Sequence, residues 1–386
     1  METASKTLAA GQSKVLAISF LVGVSALVFN IMPILLAAIG KERGYGDAAL
    51  GDIGSAYFAG FTLVTIFAMV WVRRINWQMS VTFSLLAAAA LFIVASYLDG
   101  LIWLQISFAL LGIAMVFIYT PLMTCLGDTA DPDRAMGTSL ALQVAVAAGI
   151  AFILPAYVLP NFGLRGGLWA LAILCTLSLG FVRAVPRSGR FTADGTRWLD
   201  SFSALKNAAV GPKVGLVGIF IFYIGITGLW SFLDRVAQGA GLSGDTIGSA
   251  ISVSLLFGGL GALVPALLGA RFGRPKMFLL GFFITIGAVI LLATPLTIPR
   301  FFLGVILLNI GWNMTVAYAA GQVAQTDNSG YLLPLIPAAI SLGAAIAPAI
   351  SGRVIENSGS GAFFGLMGGI IFVAYAFLFF SAYRSR

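Results

Sequence analysis

Amide, hydroxyl and aromatic side chains recur at helical spacing inside long apolar stretches of this 386-residue chain. Asn309 and Asn313 lie four residues apart, so a helix would carry both carboxamides on one face. A polar group at membrane depth is costly and tends to face a cavity or a partner helix. We therefore predict that such faces bind a small organic solute, with these substrate-binding candidates: Asn30, Tyr119, Tyr223, Thr227, Trp230, Asn309, Trp312 and Asn313.

Hydrogen bonding between helices is the alternative for each of these groups taken singly, and Thr227 fits it well. Asn309 and Asn313 together bring four donors and two acceptors to one face, which favours a cavity for this pair. Trp230 and Trp312 could stack on a ligand or anchor the chain at the membrane surface. A lining rich in rings and amides, with few charges, suits an aromatic or amphiphilic solute better than a multiply charged one.

Three charged residues near the ends of apolar stretches are candidates for gating or coupling: Asp234, Arg235 and Asp52. Asp234 shares a helical face with Tyr223 and Trp230, although a solvated outer-loop pair with Arg235 is the alternative. Asp52 opens a stretch, where a carboxylate complements the positive end of a helix. Arg353 and Glu356 are predicted to pair with each other at the outer surface. No carboxylate lies at mid-depth, so proton coupling lacks its usual carrier and is left open.

The elements that must position these groups are twelve apolar blocks. Hydrophobic residues make up 60% of the chain, charged residues make up 9%, and the mean hydropathy is +1.01. A helix needs about 20 apolar residues to cross a bilayer. The predicted blocks are 15–39, 53–72, 81–98, 102–124, 136–159, 168–185, 214–233, 247–268, 277–296, 301–323, 332–355 and 362–383. Prolines and several small residues in 334–352 predict an irregular eleventh block.

Charge and composition exclude several classes of protein. The net charge of +8 does not indicate nucleic-acid binding, because the basic residues lie at the ends of apolar blocks. Sixteen of the 22 basic residues fall on the side of the chain termini, which predicts cytoplasmic termini in a bacterial-type inner membrane. The absence of histidine and the two isolated cysteines predict no metal site, no cofactor and no enzymatic activity. An ATP-driven pump is excluded because no Gly-x-x-x-x-Gly-Lys-Ser/Thr stretch occurs.

The chain divides into two similar parts. A polar stretch, 186–213, separates six blocks from six, so we predict bundles at 1–185 and 214–386 joined by a cytoplasmic linker. Ile53-Gly54-Ser55-Ala56 in the second block is repeated as Ile247-Gly248-Ser249-Ala250 in the eighth. Both blocks end in a basic turn. Internal repeats of this kind are typical of secondary transporters.

With this organisation the chain resembles the major facilitator superfamily along its whole length. The most specific element is Arg271-Phe272-Gly273-Arg274, which keeps the core of the family's basic turn, although the family's Asp is replaced by Ala270. The resemblance implies an all-α membrane protein with twelve transmembrane helices in two pseudo-symmetric six-helix bundles. It implies that the first, fourth, seventh and tenth helices line a central cavity, and that the second, fifth, eighth and eleventh meet across the halves. It also implies a conformational-turn motif, with these residues: Arg73, Arg74, Arg271, Gly273 and Arg274.

These observations predict a monomeric secondary active transporter that moves a small organic solute by alternating access, with proton coupling left open. One alternative is a protein of the same fold that senses or scaffolds without transport, which the degenerate basic turns favour. Another is a facilitator without ion coupling. A polytopic membrane enzyme would need clustered His, Asp or Glu at a membrane face, and histidine is absent.

Overall fold

The computed structural model describes residues 2–129, 132–188, 209–268, 271–326 and 335–384, and helix is the regular structure throughout these ranges. The helices before residue 189 form the N-terminal half, and those after 208 form the C-terminal half. The first half contains Glu2–Ser25, Leu27–Asn30, Met32–Arg43, Asp47–Thr65, Ala68–Trp71, Trp77–Tyr97, Leu101–Gly127, Pro132–Ile153, a π-helical turn Leu154–Val158, Leu159–Ser178 and a 3₁₀ segment Leu179–Ala184. The second half contains Val210–Gly239, Gly244–Leu268, Arg274–Ala293, Ile298–Thr326 and Ile336–Arg384.

Twelve spans account for these helices. Eight segments are long and apolar enough to cross a membrane, and two of them, Thr138–Ala184 and Ile336–Tyr383, run for 47 and 48 residues. Each of these two is broken once, at Gly163 and at Gly359, so the eight segments make ten spans. The first span is interrupted at Ala26 and Ile31, and the second carries charged residues in its first turns. These two spans bring the total to twelve, which matches the predicted fold class of an all-α membrane protein with twelve transmembrane helices.

The two breaks occur where only glycine fits easily. Gly163 and Gly359 have φ angles of 63° and 77°, a region that side chains with a Cβ rarely adopt. Just after the first break, the Leu164 amide donates to the carboxylate of Glu42. The prediction of an irregular eleventh span begins at Pro334, which lies outside the described residues. For the described part the prediction is wrong, because Ile336 to Gly359 is one helix with Pro348 inside it. The small residues there serve close packing rather than a bend.

The pattern of helix packing repeats after six spans. In the N-terminal half, the second span packs on the fourth, and the third span packs on both the fourth and the sixth. In the C-terminal half, the eighth span packs on the tenth, and the ninth span packs on both the tenth and the twelfth. Between the halves the second span packs on the eleventh, and the fifth on the eighth. These are the pairs that the family resemblance implied.

The spans alternate in direction, which gives the molecule two faces. The terminal face carries the residues near Gln12 and Tyr383, and the distal face carries the turns near Tyr45, Asp99, Gly163, Gly241, Leu296 and Gly359. Most of the predicted linker 186–213, with Arg190, Arg197 and Lys206, lies outside the described residues. The exact bounds of the two bundles stay a prediction.

Candidate functional site

A cavity of about 400 Å³ lies between the two halves. Its walls come from eight spans, the first, second, fourth and fifth of the N-terminal half and the seventh, eighth, tenth and eleventh of the C-terminal half. The first span is interrupted at Ile31, so Asn30 ends a short helix beside the cavity. Six of the eight predicted substrate-binding residues are in the lining: Asn30, Tyr119, Tyr223, Asn309, Trp312 and Asn313.

Trp230 and Thr227 lie outside the lining, in contrast to the prediction of direct contact. The Trp230 indole donates to the backbone carbonyl of Asn30 at 3.2 Å, which joins the seventh span to the first. Its ring contacts Trp312 with centroids 5.9 Å apart, so the tenth span covers it. Trp230 therefore supports the cavity wall from behind. Thr227 is fully buried, and its hydroxyl has no hydrogen-bond partner in the described part of the chain.

Aromatic rings line the cavity in two groups. Trp312 meets Phe29 from the other half at 5.5 Å and Tyr223 at 5.9 Å, both in edge-to-face geometry. On the N-terminal side, Phe61 lies 6.0 Å from Tyr119. Edge-to-face packing leaves ring faces free for a ligand, and such pairs also stabilise the wall itself. Trp312 is at the centre of the cluster and is 7% exposed.

The amide groups hold the wall and face the cavity at once. The Asn309 amide donates to the Ser254 hydroxyl of the eighth span at 3.1 Å and to the Val305 carbonyl at 3.2 Å. Asn313 donates to the Asn309 carbonyl at 3.0 Å. The sequence left two roles open for Asn309, a hydrogen bond between helices and a place in the cavity lining. Asn309 has both.

Two ion pairs join the halves on the distal face. Arg235 of the seventh span bonds Asp47 of the second at 2.7 Å. Arg353 of the eleventh span holds both carboxylate oxygens of Asp52, at 2.7 and 3.2 Å. The Ala48 amide, in the first turn of the second span, donates to Glu356 at 2.7 Å. We call these three contacts the distal clasp. All of them connect the start of the second span to the C-terminal half.

The clasp corrects one predicted pairing and gives partners to two other candidate residues. Arg353 pairs with Asp52 rather than with Glu356, because these partners face each other across the two halves. Asp52 lies near the start of a helix, as predicted, and it also binds the guanidinium of Arg353. Arg235 turns away from Asp234 and toward Asp47.

Asp234 is buried rather than solvated. Its side chain is 6% exposed, and it accepts a hydrogen bond from Gln238, one turn further along the same helix. The alternative of a solvated pair with Arg235 is therefore wrong. Asp234 lies outside the cavity lining, on the distal side of it.

The basic turns lie on the terminal face. Arg73 binds Asp128 at the end of the fourth span through two bonds of 3.0 Å, within the N-terminal half. Gly273 has a φ angle of 78° and precedes the ninth span, which explains a glycine in the turn. Arg74 and Arg271 are exposed.

Sequence reasoning missed several residues that take part in these sites. Asp47, Glu356 and Arg353 were not assigned to a gate, and Tyr57 and Gln143, which line the cavity, were not selected. The available signal was the pair of acids at the start of the second span, because acidic residues are rare in this chain. Which bases they would meet depends on how the halves dock.

Comparisons with known proteins agree with this architecture. A mutant of the nucleoside transporter NupG is similar in structure, with a TM-score of 0.77, 14% identity, and 94% of this chain and 98% of that chain covered. A bacterial homologue of the human lysosomal transporter Spinster, in an inward-facing and unoccupied conformation, is similar with a TM-score of 0.72, 13% identity and 97% of each chain covered. No curated protein matches the chain in sequence.

Likeness at such low identity establishes the fold alone. The sequence profile of the Major Facilitator Superfamily adds to it, because it matches residues 18–212 and 215–386 and so covers both halves. Together with twelve spans and a cavity between the halves, this match identifies a membrane transporter, and the chain belongs to the Major Facilitator Superfamily.

Proposed function

We propose that this protein is a secondary transporter that moves a small, uncharged aromatic or amphiphilic solute by alternating access. The observation that carries the proposal is the lining of the cavity. Among the described lining residues there is no Asp, Glu, Lys or Arg, while rings and amides are abundant. Binding sites for small organic molecules are mostly apolar, with a few placed polar groups and volumes of about 300–1,000 Å³. A multiply charged solute would have no counter-ion there.

The distal clasp supports the alternating-access part of the proposal. Its ion pairs bridge the halves at the distal ends of their helices, where separation would open a path to the cavity. Arg353 and Asp52 are 54% and 33% exposed, so solvent screens their attraction. Exposed pairs contribute about 0–1 kcal/mol, which is small enough to form and break in each cycle.

Coupling and orientation are further parts of the proposal. The basic residues concentrated on the terminal side favour cytoplasmic termini in a bacterial-type inner membrane. Asp234 is the candidate for proton coupling, since it is a buried carboxylate beside the clasp. A facilitator without ion coupling is the second candidate, and the uncharged lining of the cavity favours it.

The test begins with a thermal-shift screen of the purified protein against neutral aromatic solutes, followed by uptake into proteoliposomes. A ligand that binds only the folded protein raises its melting temperature. Trp312→Ala should weaken binding about tenfold or more, because burying an aromatic ring contributes on the order of 2 kcal/mol. Trp103→Ala is the matched control, since Trp103 is 62% exposed and is not among the lining residues of the cavity. Equal uptake by both variants, or stabilisation by charged solutes only, would contradict the proposal.

A further inference from the structure

The seventh span carries two buried hydroxyl groups, those of Thr227 and Ser231. Both residues are fully buried, and neither hydroxyl has a hydrogen-bond partner among the residues that the structure describes. Other hydroxyls in the spans bond a carbonyl four residues earlier in their own helix, as those of Thr65, Thr176 and Ser178 do. A buried polar group without a partner is costly, and a bound ion or water molecule is one way to satisfy it.

These two hydroxyls belong to a polar track along one face of the helix. The track consists of Tyr223, Thr227, Ser231, Asp234 and Gln238, and a turn of 100° per residue places all five within an arc of about 80°. Tyr223 lines the cavity at one end, and Gln238 is exposed on the distal face at the other. The track therefore runs from the distal face to the cavity, over a rise of about 22 Å.

Asp234 supplies the negative charge of the track. One of its carboxylate oxygens accepts a hydrogen bond from Gln238 at 2.5 Å, and the other accepts none from a described residue. The adjacent guanidinium of Arg235 is paired with Asp47 at 2.7 Å, so two carboxylates and one guanidinium leave one negative charge. A buried carboxylate without a counter-ion is costly, and a single monovalent cation would balance it.

We propose that Asp234 and Ser231 bind a sodium ion. A rise of 1.5 Å per residue separates the two residues by about 4.5 Å along the helix, and side chains lean toward the helix N-terminus, so the carboxylate leans toward the hydroxyl. Carboxylate and hydroxyl oxygens are the hard ligands that such ions prefer. Calcium takes about six to eight oxygens and draws on several carboxylates, whereas this track has one. The tight burial of Ser231 favours sodium over the larger potassium ion.

The position of the site makes sodium the coupling ion, a step that rests on the proposed function of the cavity as the transport site. The exposed Gln238 marks the side from which the ion enters, and Thr227 offers the next oxygen toward the cavity. A proton and a sodium ion would compete for the same carboxylate. Each would therefore lower the affinity of the other by the same factor.

Binding of radioactive sodium to the purified full-length protein tests the site, with sodium chloride replacing potassium chloride at constant ionic strength. We expect saturable binding that weakens as the pH falls, and a melting temperature that rises with sodium. Ser231→Ala should weaken binding about tenfold or more, as the loss of a bond to a charged partner would. Asp234→Asn should abolish binding. Ser178→Ala is the matched control, because this buried hydroxyl bonds its own helix, and it should bind sodium like the wild type.

The absence of saturable sodium binding overturns the inference and leaves the transport proposal standing. Equal binding by the wild type, Ser231→Ala and Asp234→Asn also overturns it, because the ion is then held elsewhere. Ser231→Ala decides alone if Asp234→Asn does not fold, since it removes one oxygen and adds no bulk. Sodium binding without uptake of any solute leaves the site standing and contradicts the transport proposal.

The coupling step has its own measurement in proteoliposomes. A sodium gradient directed from the distal to the terminal side should raise the initial rate of uptake of a solute found in the thermal-shift screen, compared with an equal potassium gradient. Asp234→Asn should remove the difference between the two gradients, whereas Ser178→Ala should keep it. Equal rates in the wild type under both gradients overturn the coupling step.

Discussion

Asp234 is a carboxylate held in a buried position with an amide, rather than a cation, as its hydrogen-bond partner. The neighbouring guanidinium of Arg235 is engaged by Asp47 in the other half. A buried ionised carboxylate without a counter-ion is costly, so such residues in membrane segments tend to have functional roles. In the proposed cycle, opening of the clasp would change the surroundings of this carboxylate.

We expect Asp234→Asn to reduce transport about tenfold or more while the protein still folds, because the amide keeps the shape and removes the charge. The measurement is uptake into proteoliposomes at several pH values, together with the melting temperature. Asp245→Asn, which changes an exposed carboxylate in the next turn of the chain, should be nearly silent. Unchanged uptake by Asp234→Asn at every pH would exclude this residue from coupling.

The ion pair between Asp52 and Arg353 makes a separate prediction. Asp52→Asn and Arg353→Gln should each raise the population of the distal-open state by about fivefold or less, since an exposed pair contributes up to about 1 kcal/mol. The double variant should do no more than either single one, because both remove the same interaction. Spin-label distances across the distal face report the population. Asp99→Asn is the control, since Asp99 pairs with Arg43 inside one half. Additive effects in the double variant would show that the two side chains act independently.

For single residues, the sequence predicted which face of its helix each one occupies, but not which residues of other spans it contacts. The spacing of Asn309 and Asn313 placed both on the cavity side, because 100° per residue fixes which face a residue occupies. The same spacing put Trp230 on a cavity face, yet Trp312 from another span covers it. Arg353 and Asp52 are 301 residues apart, and helical periodicity carries no information about such a pair.

Glycines in the helices decide how closely the spans approach. A Cβ at Gly352 would overlap the backbone carbonyl of Asp47, and one at Gly51 would overlap that of Pro348, so these two glycines let the second and eleventh spans touch across the halves. Gly60 makes the same kind of contact with Ala109, but within the N-terminal half. Small residues at such contacts replace the hydrophobic driving force that is missing between helices in lipid.

The two kinds of glycine should respond differently to one added methyl group. Gly60→Ala should lower the melting temperature, because overpacking inside one bundle costs about 1–3 kcal/mol and nothing can move apart. Gly352→Ala should change the melting temperature less, because the overlap is relieved when the halves separate on the distal face. Spin labels on Asn161→Cys and Asp245→Cys, which lie in opposite halves, should then report a longer distance between the halves. The two native cysteines are buried and therefore compete little for the label. An unchanged distance together with an equal loss of stability would contradict this prediction.

The number of spans was predictable from apolar length and the repeat, and the pairing of elements across the halves from the family resemblance. The breaks were not. Gly163 and Gly359 are two among 46 glycines, and nothing in the sequence marks them as the ones with positive φ. The interruption of the first span beside Asn30 was indicated only by Pro33, which lies in the first turn of the next helix.

At the scale of the whole molecule, the distribution of charge predicts orientation. A cysteine replacing exposed Asn161 on the distal face should react with a membrane-impermeant maleimide in intact cells. A cysteine replacing Lys14, near the terminal face, should react only after the membrane is permeabilised. The two variants serve as controls for each other. The reverse pattern would invert the proposed orientation, and labelling of both in intact cells would contradict termini inside the cell.

The ion pairs of the distal clasp also have a consistent polarity. Both carboxylates, Asp47 and Asp52, belong to the N-terminal half, and both guanidinium groups, Arg235 and Arg353, belong to the C-terminal half. Two copies of the same half brought together in this arrangement would set acid against acid or base against base. Such repulsion favours the correct partner over the wrong one. The charges that close the distal face therefore also give each bundle a means of recognising its complement during assembly, so that bundles made as separate chains should pair as unlike halves.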